Sequence, residues 1–242
     1  MRRVRLPVAP LAPGRRALDR DAARYVGRVL RLEPGDTLVA FDPEARVEAD
    51  GRVLSIDRDA ATLEIGALRG ATCIAAREVA LVQCVGKGDK LDAVVRDATE
   101  LGATAVLPAI SARSVSTKGG DAQLARLRRI AVEAARQCGR GDAPRLEPPR
   151  ALADVLASVT AGVRVALLPE GRARFRDLAG GAASLAVLVG PEGGLTDDEI
   201  ALAAKHGFVA ATLGPFVLRT ETVAAAALGT AMALGDWSPA DE

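Results

Sequence analysis

The residues of this chain best suited to chemistry fall in three short segments of its second half. These are Pro169-Glu170-Gly171, Gly190-Pro191-Glu192-Gly193-Gly194, and the stretch from Gly214 to Thr222, which contains Leu218-Arg219-Thr220-Glu221-Thr222. Glycines admit positive φ and let a ligand approach the backbone closely. An arginine can stabilise a developing anion, and a carboxylate can accept a proton. Plainer roles stand beside these: the glycines could serve an ordinary strand-turn-helix connection, Thr220 or Thr222 could cap a helix, and Arg219 could pair with Glu221. Absences narrow the field. His206 is the sole histidine, so there is no HExxH and no multi-histidine metal site, and a Ser-His-Asp triad would need His206 itself. Cys73, Cys84 and Cys138 are odd in number, widely spaced and without a CxxC, which argues against a disulfide framework or a cysteine-rich zinc site. No metal is expected. The second segment lacks the GK[ST] ending of a P-loop, and no strand-linked GxGxxG occurs.

Each segment follows an apolar run, at 163–168, 186–189 and 210–213. In an open parallel sheet, ligands bind outside the carboxyl ends of the strands. If these three strands are neighbours, their loops converge on one cavity. The third loop is long for a strand-to-helix connection, which usually takes about 2–6 residues. Thr196-Asp197-Asp198-Glu199 reads as a capping box that starts a helix just beyond the second loop. From Glu78 onward, apolar runs alternate with helical periodicity, the mark of an α/β domain with a parallel sheet. The pattern predicts strands at 79–85 and 105–110, and helices at 91–101, 121–137, 151–159 and 196–206, with a last helix from Glu221. The stretch 139–150 reads as a loop. The first part is β-rich, with strands at 36–41, 52–56 and 61–65 and one helix over 19–30, a pattern expected of a small barrel. These patterns divide the chain into domains at 1–73 and 77–242.

A chain of 242 residues, 49% hydrophobic and 26% charged, can bury a sizeable core and does not read as disordered. Its longest apolar stretch, 223–234, is shorter than the ~20 residues of a membrane span. No signal-peptide apolar region follows the basic start Arg2-Arg3-Val4-Arg5, so a soluble, cytoplasmic protein is expected. Aromatic residues are only 2%, which excludes a base-stacking sheet of the RRM type. Net charge is +1, yet residues 1–31 hold nine arginines against two aspartates, a local charge of +7. Such a basic end is a candidate for polyanion contact, and equally for a solvated surface.

Val189-Gly-Pro-Glu-Gly-Gly-Leu-Thr-Asp-Asp-Glu-Ile200, taken with Leu213-Gly-Pro-Phe-Val-Leu-Arg-Thr-Glu-Thr222, resembles the bacterial 16S rRNA (uracil-N3)-methyltransferase family of the SPOUT superfamily. Lys87-Gly-Asp-Lys90, Ala98-Thr-Glu-Leu-Gly102, Glu133-Ala-Ala-Arg-Gln-Cys-Gly-Arg140 and Val29-Leu-Arg-Leu-Glu-Pro-Gly-Asp36 agree in order and spacing, so the resemblance covers nearly the whole chain. It implies a PUA-like RNA-binding β-barrel followed by an α/β domain with a parallel sheet and a deep trefoil knot. It also implies S-adenosylmethionine as cofactor, a homodimer, and 16S rRNA of the small ribosomal subunit as partner. The product would be N3-methyluridine in the decoding region. Cofactor contacts are then assigned to Leu168, Pro169, Glu170, Gly190, Glu192, Gly193, Leu213, Gly214, Val217 and Leu218.

N3 of uracil becomes nucleophilic only when its proton leaves. Arg219 is the expected stabiliser of the resulting anion, and Glu221 or Glu192 the proton acceptor. RNA phosphates are assigned to Arg2, Arg3, Arg5, Arg28 and Arg31 of the barrel, with Arg136 and Arg140. The 223–234 helix, apolar on nearly every face, must be buried in the core or against a second subunit. Four positions depart from the family's usual residues: Arg3-Val4-Arg5, Ala23-Arg24-Tyr25, Asp97 and Phe216. The alternatives are a SPOUT ribose 2′-O-methyltransferase and a catalytically silent RNA-binding assembly factor.

Overall fold

The computed structural model describes residues 4–86, 88, 90–114 and 120–235. The chain forms two compact units. One comprises residues up to Ile74 together with Ala135–Ala143; the other comprises Ala75–Ala134 and the residues from Pro144 onward.

In the first unit, β1 (Arg5–Pro7) and β2 (Gly14–Leu18) precede α1 (Arg20–Arg24), which runs into one π-helical turn at Tyr25–Val29. Then come β3 (Thr37–Asp42), β4 (Val47–Ile56), β5 (Ala61–Ile65) and β6 (Arg69–Gly70). The sheet order is β1-β3-β4-β5-β2, with β6 on β4. Every pairing is antiparallel except β1 with β3. The core holds Leu6, Val26, Leu38, Ala40, Val53, Leu63 and Ile65. The single helix expected over 19–30 is broken in kind. Asp19 caps α1 by accepting from Ala22 N, but the next turn widens, with Leu30 N donating to Tyr25 O. Gly27 sits in that turn, where a Cβ would stand 3.1 Å from Ile56, so the wide turn lies close against β4. β2, with Arg15 and Arg16 in it, had no apolar alternation to reveal it; its pairing with β5 makes it a strand.

The second unit starts with β7 (Glu78–Cys84), α2 (Lys90–Glu100), β8 (Ala105–Ile110) and α3 (Asp121–Cys138), whose last residues, from Ala135, belong to the first unit. It continues through β9 (Arg145–Leu146), β10 (Arg150–Ala151), α4 (Leu152–Ser158), β11 (Val163–Leu167), β12 (Ala173–Arg174) and α5 (Phe175–Ala179). β13 (Ser184–Val189), α6 (Asp197–Lys205), β14 (Val209–Thr212) and α7 (Thr220–Ala233) complete it. The sheet is parallel throughout, in the order β10-β8-β7-β13-β11-β14-β12, with β9 on β8. Central strands of a parallel sheet are covered on both faces and so read as continuous apolar runs. β13, Ser-Leu-Ala-Val-Leu-Val, is buried from Leu185 to Val189. On α2, Leu91, Val94, Val95 and Ala98 form the buried stripe expected at helical spacing. α7 packs on α2 and α5 through Ala224, Ala227, Leu228 and Ala231, while Met232 and Leu234 remain exposed. One face of α7 is thus covered within the chain and its far end is not.

The stretch 135–143 was not legible as part of the first unit. Gly141 N donates to Cys73 O, and a Cβ at Gly141 would fall within 2.4 Å of that of Ala71. The Arg136 guanidinium lies 4.0 Å from the Tyr25 ring centroid. These contacts join residues far apart in sequence, so no local pattern announces them. Among the described residues, no helix is long and apolar enough to cross a membrane.

Candidate functional site

The strand order sets β13, β11 and β14 side by side, so the three loops that follow their carboxyl ends meet. They enclose a cavity of about 490 Å³, within the roughly 300–1,000 Å³ usual for small-molecule sites. The loop after β11 contributes Leu168 and Pro169; the loop after β13 contributes Gly190 and Glu192. The loop after β14 contributes Leu213, Val217 and Leu218, and both Arg219 and Glu221 line the same space. Glu170, Gly193 and Gly214 stand on these loops but outside the cavity wall. Leu167, Val189 and Leu195 make the wall largely apolar.

Two interlocks hold the loops in place. Buried Gln83, at the end of β7, donates from Nε2 to Thr220 Oγ1 at 3.0 Å, and Thr220 Oγ1 donates to Gly190 O at 3.0 Å. The start of α7 is thereby tied to the glycine that opens the second loop. Thr220 therefore does not cap its helix: Arg219 occupies the N-cap position, with no side-chain cap bond. The second interlock is ionic. Lys90 Nζ lies 3.0 Å from Glu192 Oε1 and 3.4 Å from Glu221 Oε2. The hydrogen bond that Lys90 donates to Glu192, reinforced by Glu221, holds the ammonium's pKa above the usual lysine value. The Glu192 carboxylate rests directly over Gly86, where a Cβ would meet both of its oxygens at 2.8 Å.

The second loop is braced from outside as well. Arg113 Nη1 donates to Gly193 O at 2.6 Å. Glu199 closes the capping box by accepting from Thr196 N at 2.9 Å, and its other oxygen accepts from Ala112 N at 2.7 Å. Arg219 behaves differently from the sequence alternative of a pair with Glu221. Glu221 faces Lys90, and Arg219 is exposed with no ion pair among the described residues. An exposed cation lining the same cavity as two tethered carboxylates is an arrangement that can receive an anionic or anion-forming group.

Sequence reasoning quoted Lys90 only within a motif and passed over Gln83. A lone glutamine inside an otherwise apolar strand run was the available signal for the latter, because a buried amide must find partners.

The comparisons with known proteins agree with this geometry. Residues 74–232 match the family model described as the RNA methyltransferase domain, and residues 18–66 match the RNA methyltransferase PUA domain. The ribosomal RNA small subunit methyltransferase E of Mycobacterium tuberculosis is 36% identical over 222 residues, covering 88% of this chain and 84% of that protein. The chain belongs to the ribosomal RNA small subunit methyltransferase E family. Its fold is that of SPOUT methyltransferases, preceded by a PUA unit. The Neisseria gonorrhoeae small subunit methyltransferase E, solved bound to S-adenosyl methionine, superposes with a TM-score of 0.87 at 27% identity, covering 96% of this chain and 98% of that one. A Legionella pneumophila methyltransferase, solved with bound SAM, gives 0.85 at 29% identity, with coverage of 96% and 98%.

Within this family member, the arginines expected on RNA fall into distinct environments. Arg28 and Arg31 are exposed. Arg2 and Arg3 lie outside the described residues. Two others are engaged in internal pairs. Arg5 is engaged inside the first unit, its Nη2 2.9 Å from Glu48 Oε2 and its guanidinium over the Phe41 ring. Buried Glu48 also accepts from Arg69 Nε and Thr72 Oγ1, so removing Arg5 would leave a buried carboxylate under-compensated. Arg140 is buried and pairs with buried Asp142 at 2.9 Å. Both side chains are thus committed to the fold. Arg136 stacks on Tyr25, as described above.

Proposed function

We propose that this protein transfers a methyl group from S-adenosylmethionine to N3 of a uridine in the decoding region of 16S rRNA. The observation that carries the reading is the convergence of three strand-end loops on one apolar cavity, with Arg219 exposed at its wall. The residues suit the cofactor: the volume accommodates a nucleoside-sized molecule, apolar walls can sandwich a flat base, and the Glu192–Glu221 carboxylates complement a positive charge. Leu168, Pro169, Gly190, Glu192, Leu213, Val217 and Leu218, which line the cavity, would hold it. Its chemistry would be an electrophilic methyl on a sulfonium centre.

The chain's own residues do the rest. Arg219 stabilises the negative charge that spreads onto the uracil carbonyl oxygens when the N3 proton leaves. Glu221 or Glu192 accepts that proton, and Lys90 keeps both carboxylates oriented. Fixing the acceptor nitrogen in line with the methyl group supplies further rate. Arg28 and Arg31 meet phosphates, which position the RNA without reading its sequence. A trefoil knot, a homodimer formed across the uncovered part of α7, and a cytoplasmic site of action belong to the same reading.

The test is methyl transfer to purified small subunits against naked 16S rRNA, with nucleoside mass spectrometry of the product. N3-methyluridine is expected. Arg219→Ala is expected to lower turnover by about 10²–10³, the usual cost of one charge-stabilising donor. Wild-type turnover in that variant would remove the arginine's role. A ribose-methylated nucleoside in place of N3-methyluridine would overturn the base-methylation reading.

A further inference from the structure

The chain has four phenylalanines. Phe41, Phe175 and Phe208 are 0%, 1% and 4% exposed, whereas Phe216 is 80% exposed. Its neighbour Val217 is 82% exposed, and both line the mouth of the cavity. Among the described residues, the one exposed aromatic ring stands where an acceptor must enter. The loop that carries it is held at both ends. Thr212 Oγ1 donates to Gly214 O at 2.9 Å and accepts from Gly214 N, and Thr220 is tied to Gln83 and Gly190. Three residues on, Arg219 offers an exposed cation. An aromatic face on a tethered loop next to an exposed guanidinium is the pairing by which proteins take up unstacked bases: the ring covers the π face and the cation meets carbonyl or phosphate oxygens.

We propose that Phe216 is a stacking platform for an unstacked nucleobase of the substrate RNA at the cavity mouth. The inference rests on the methyltransferase reading above for the identity of its substrate. A nucleobase fits better than an aliphatic partner surface because the ring lines the cavity itself and is flanked by the exposed Arg219.

Phe216→Ala is expected to weaken co-sedimentation with purified small subunits and to lower kcat/KM for them by about 5- to 150-fold, the range seen when one base–aromatic stack is lost. Calorimetric affinity for S-adenosylmethionine should stay at the wild-type value. Phe216→Trp and Phe216→Tyr should restore binding and turnover, and Phe216→Leu, apolar but without a π face, should not. Wild-type binding by Phe216→Ala, or full rescue by leucine, overturns the proposal. So does dissociation of a dimer by Phe216→Ala in sedimentation velocity, which would make the ring an interface residue. If the wild-type protein transfers no methyl group, the methyltransferase reading has failed; the binding comparison still decides the stacking role.

Discussion

Thr220→Val removes a hydroxyl while keeping the side chain's shape, which isolates the Gln83–Thr220–Gly190 interlock. Two hydrogen bonds of 3.0 Å are lost. Gln83 Nε2 keeps its bond to Cys84 O at 3.1 Å, so the amide is not wholly orphaned. Each bond contributes about 1 kcal/mol net, and a buried donor or acceptor left without a partner costs about 1–3 kcal/mol, so the expected loss is about 2–3 kcal/mol. For a chain of this size, each kcal/mol moves the melting temperature by about 2–4 °C, giving a drop of roughly 5–10 °C. Calorimetric melting reads this directly. Titration with S-adenosylmethionine reads the consequence at the site: if about 1 kcal/mol of the loss falls on the loaded geometry, Kd rises about fivefold. Thr220→Ser, which restores the hydroxyl, should recover both. A valine variant that melts with the wild type and binds with unchanged affinity would refute the claim that this hydroxyl fixes the cavity.

Gly171→Ala should cripple folding, because its Cβ would stand 2.3 Å from the Ala211 carbonyl carbon, a backbone atom of β14 that cannot swing aside; overpacking of this kind costs about 1–3 kcal/mol or more, and an unchanged melting temperature would refute it. Burial pushes the Cys84 thiol from its ordinary 9.0 up to about 12. The native state therefore keeps this proton after the unfolded chain has lost it. That contribution is intact below pH 9.0 and is lost as pH rises toward about 12, by up to roughly 4 kcal/mol. Urea unfolding of Cys84→Ala between neutral pH and pH 10.5 should show a shallower alkaline loss than the wild type, and parallel curves would refute the assignment.

The sequence by itself determined the local elements and the chemistry they carry. A continuous apolar run such as 186–189 reads as a strand covered on both faces, and Thr196 with Glu199 reads as a helix start. Gly-Pro-Glu-Gly-Gly and Leu-Arg-Thr-Glu-Thr announced which segments would line the cavity. Only the tertiary structure decided how those groups are used. It placed β11 between β13 and β14, which makes one cavity from three loops. It turned Thr220 from a helix cap into a tie to Gln83, 137 residues away in sequence, and gave Glu221 to Lys90 while leaving Arg219 exposed. It drew 135–143 into the first unit and enclosed Arg5 and Arg140 in internal pairs. The physical reason is one of range. Periodicity, capping and turn chemistry act over a few residues and are written where they act. Partner choice for a charge or a hydroxyl is settled by which distant segments the packed core brings within about 3 Å, a distance at which a hydrogen bond forms and a few residues' displacement forbids it.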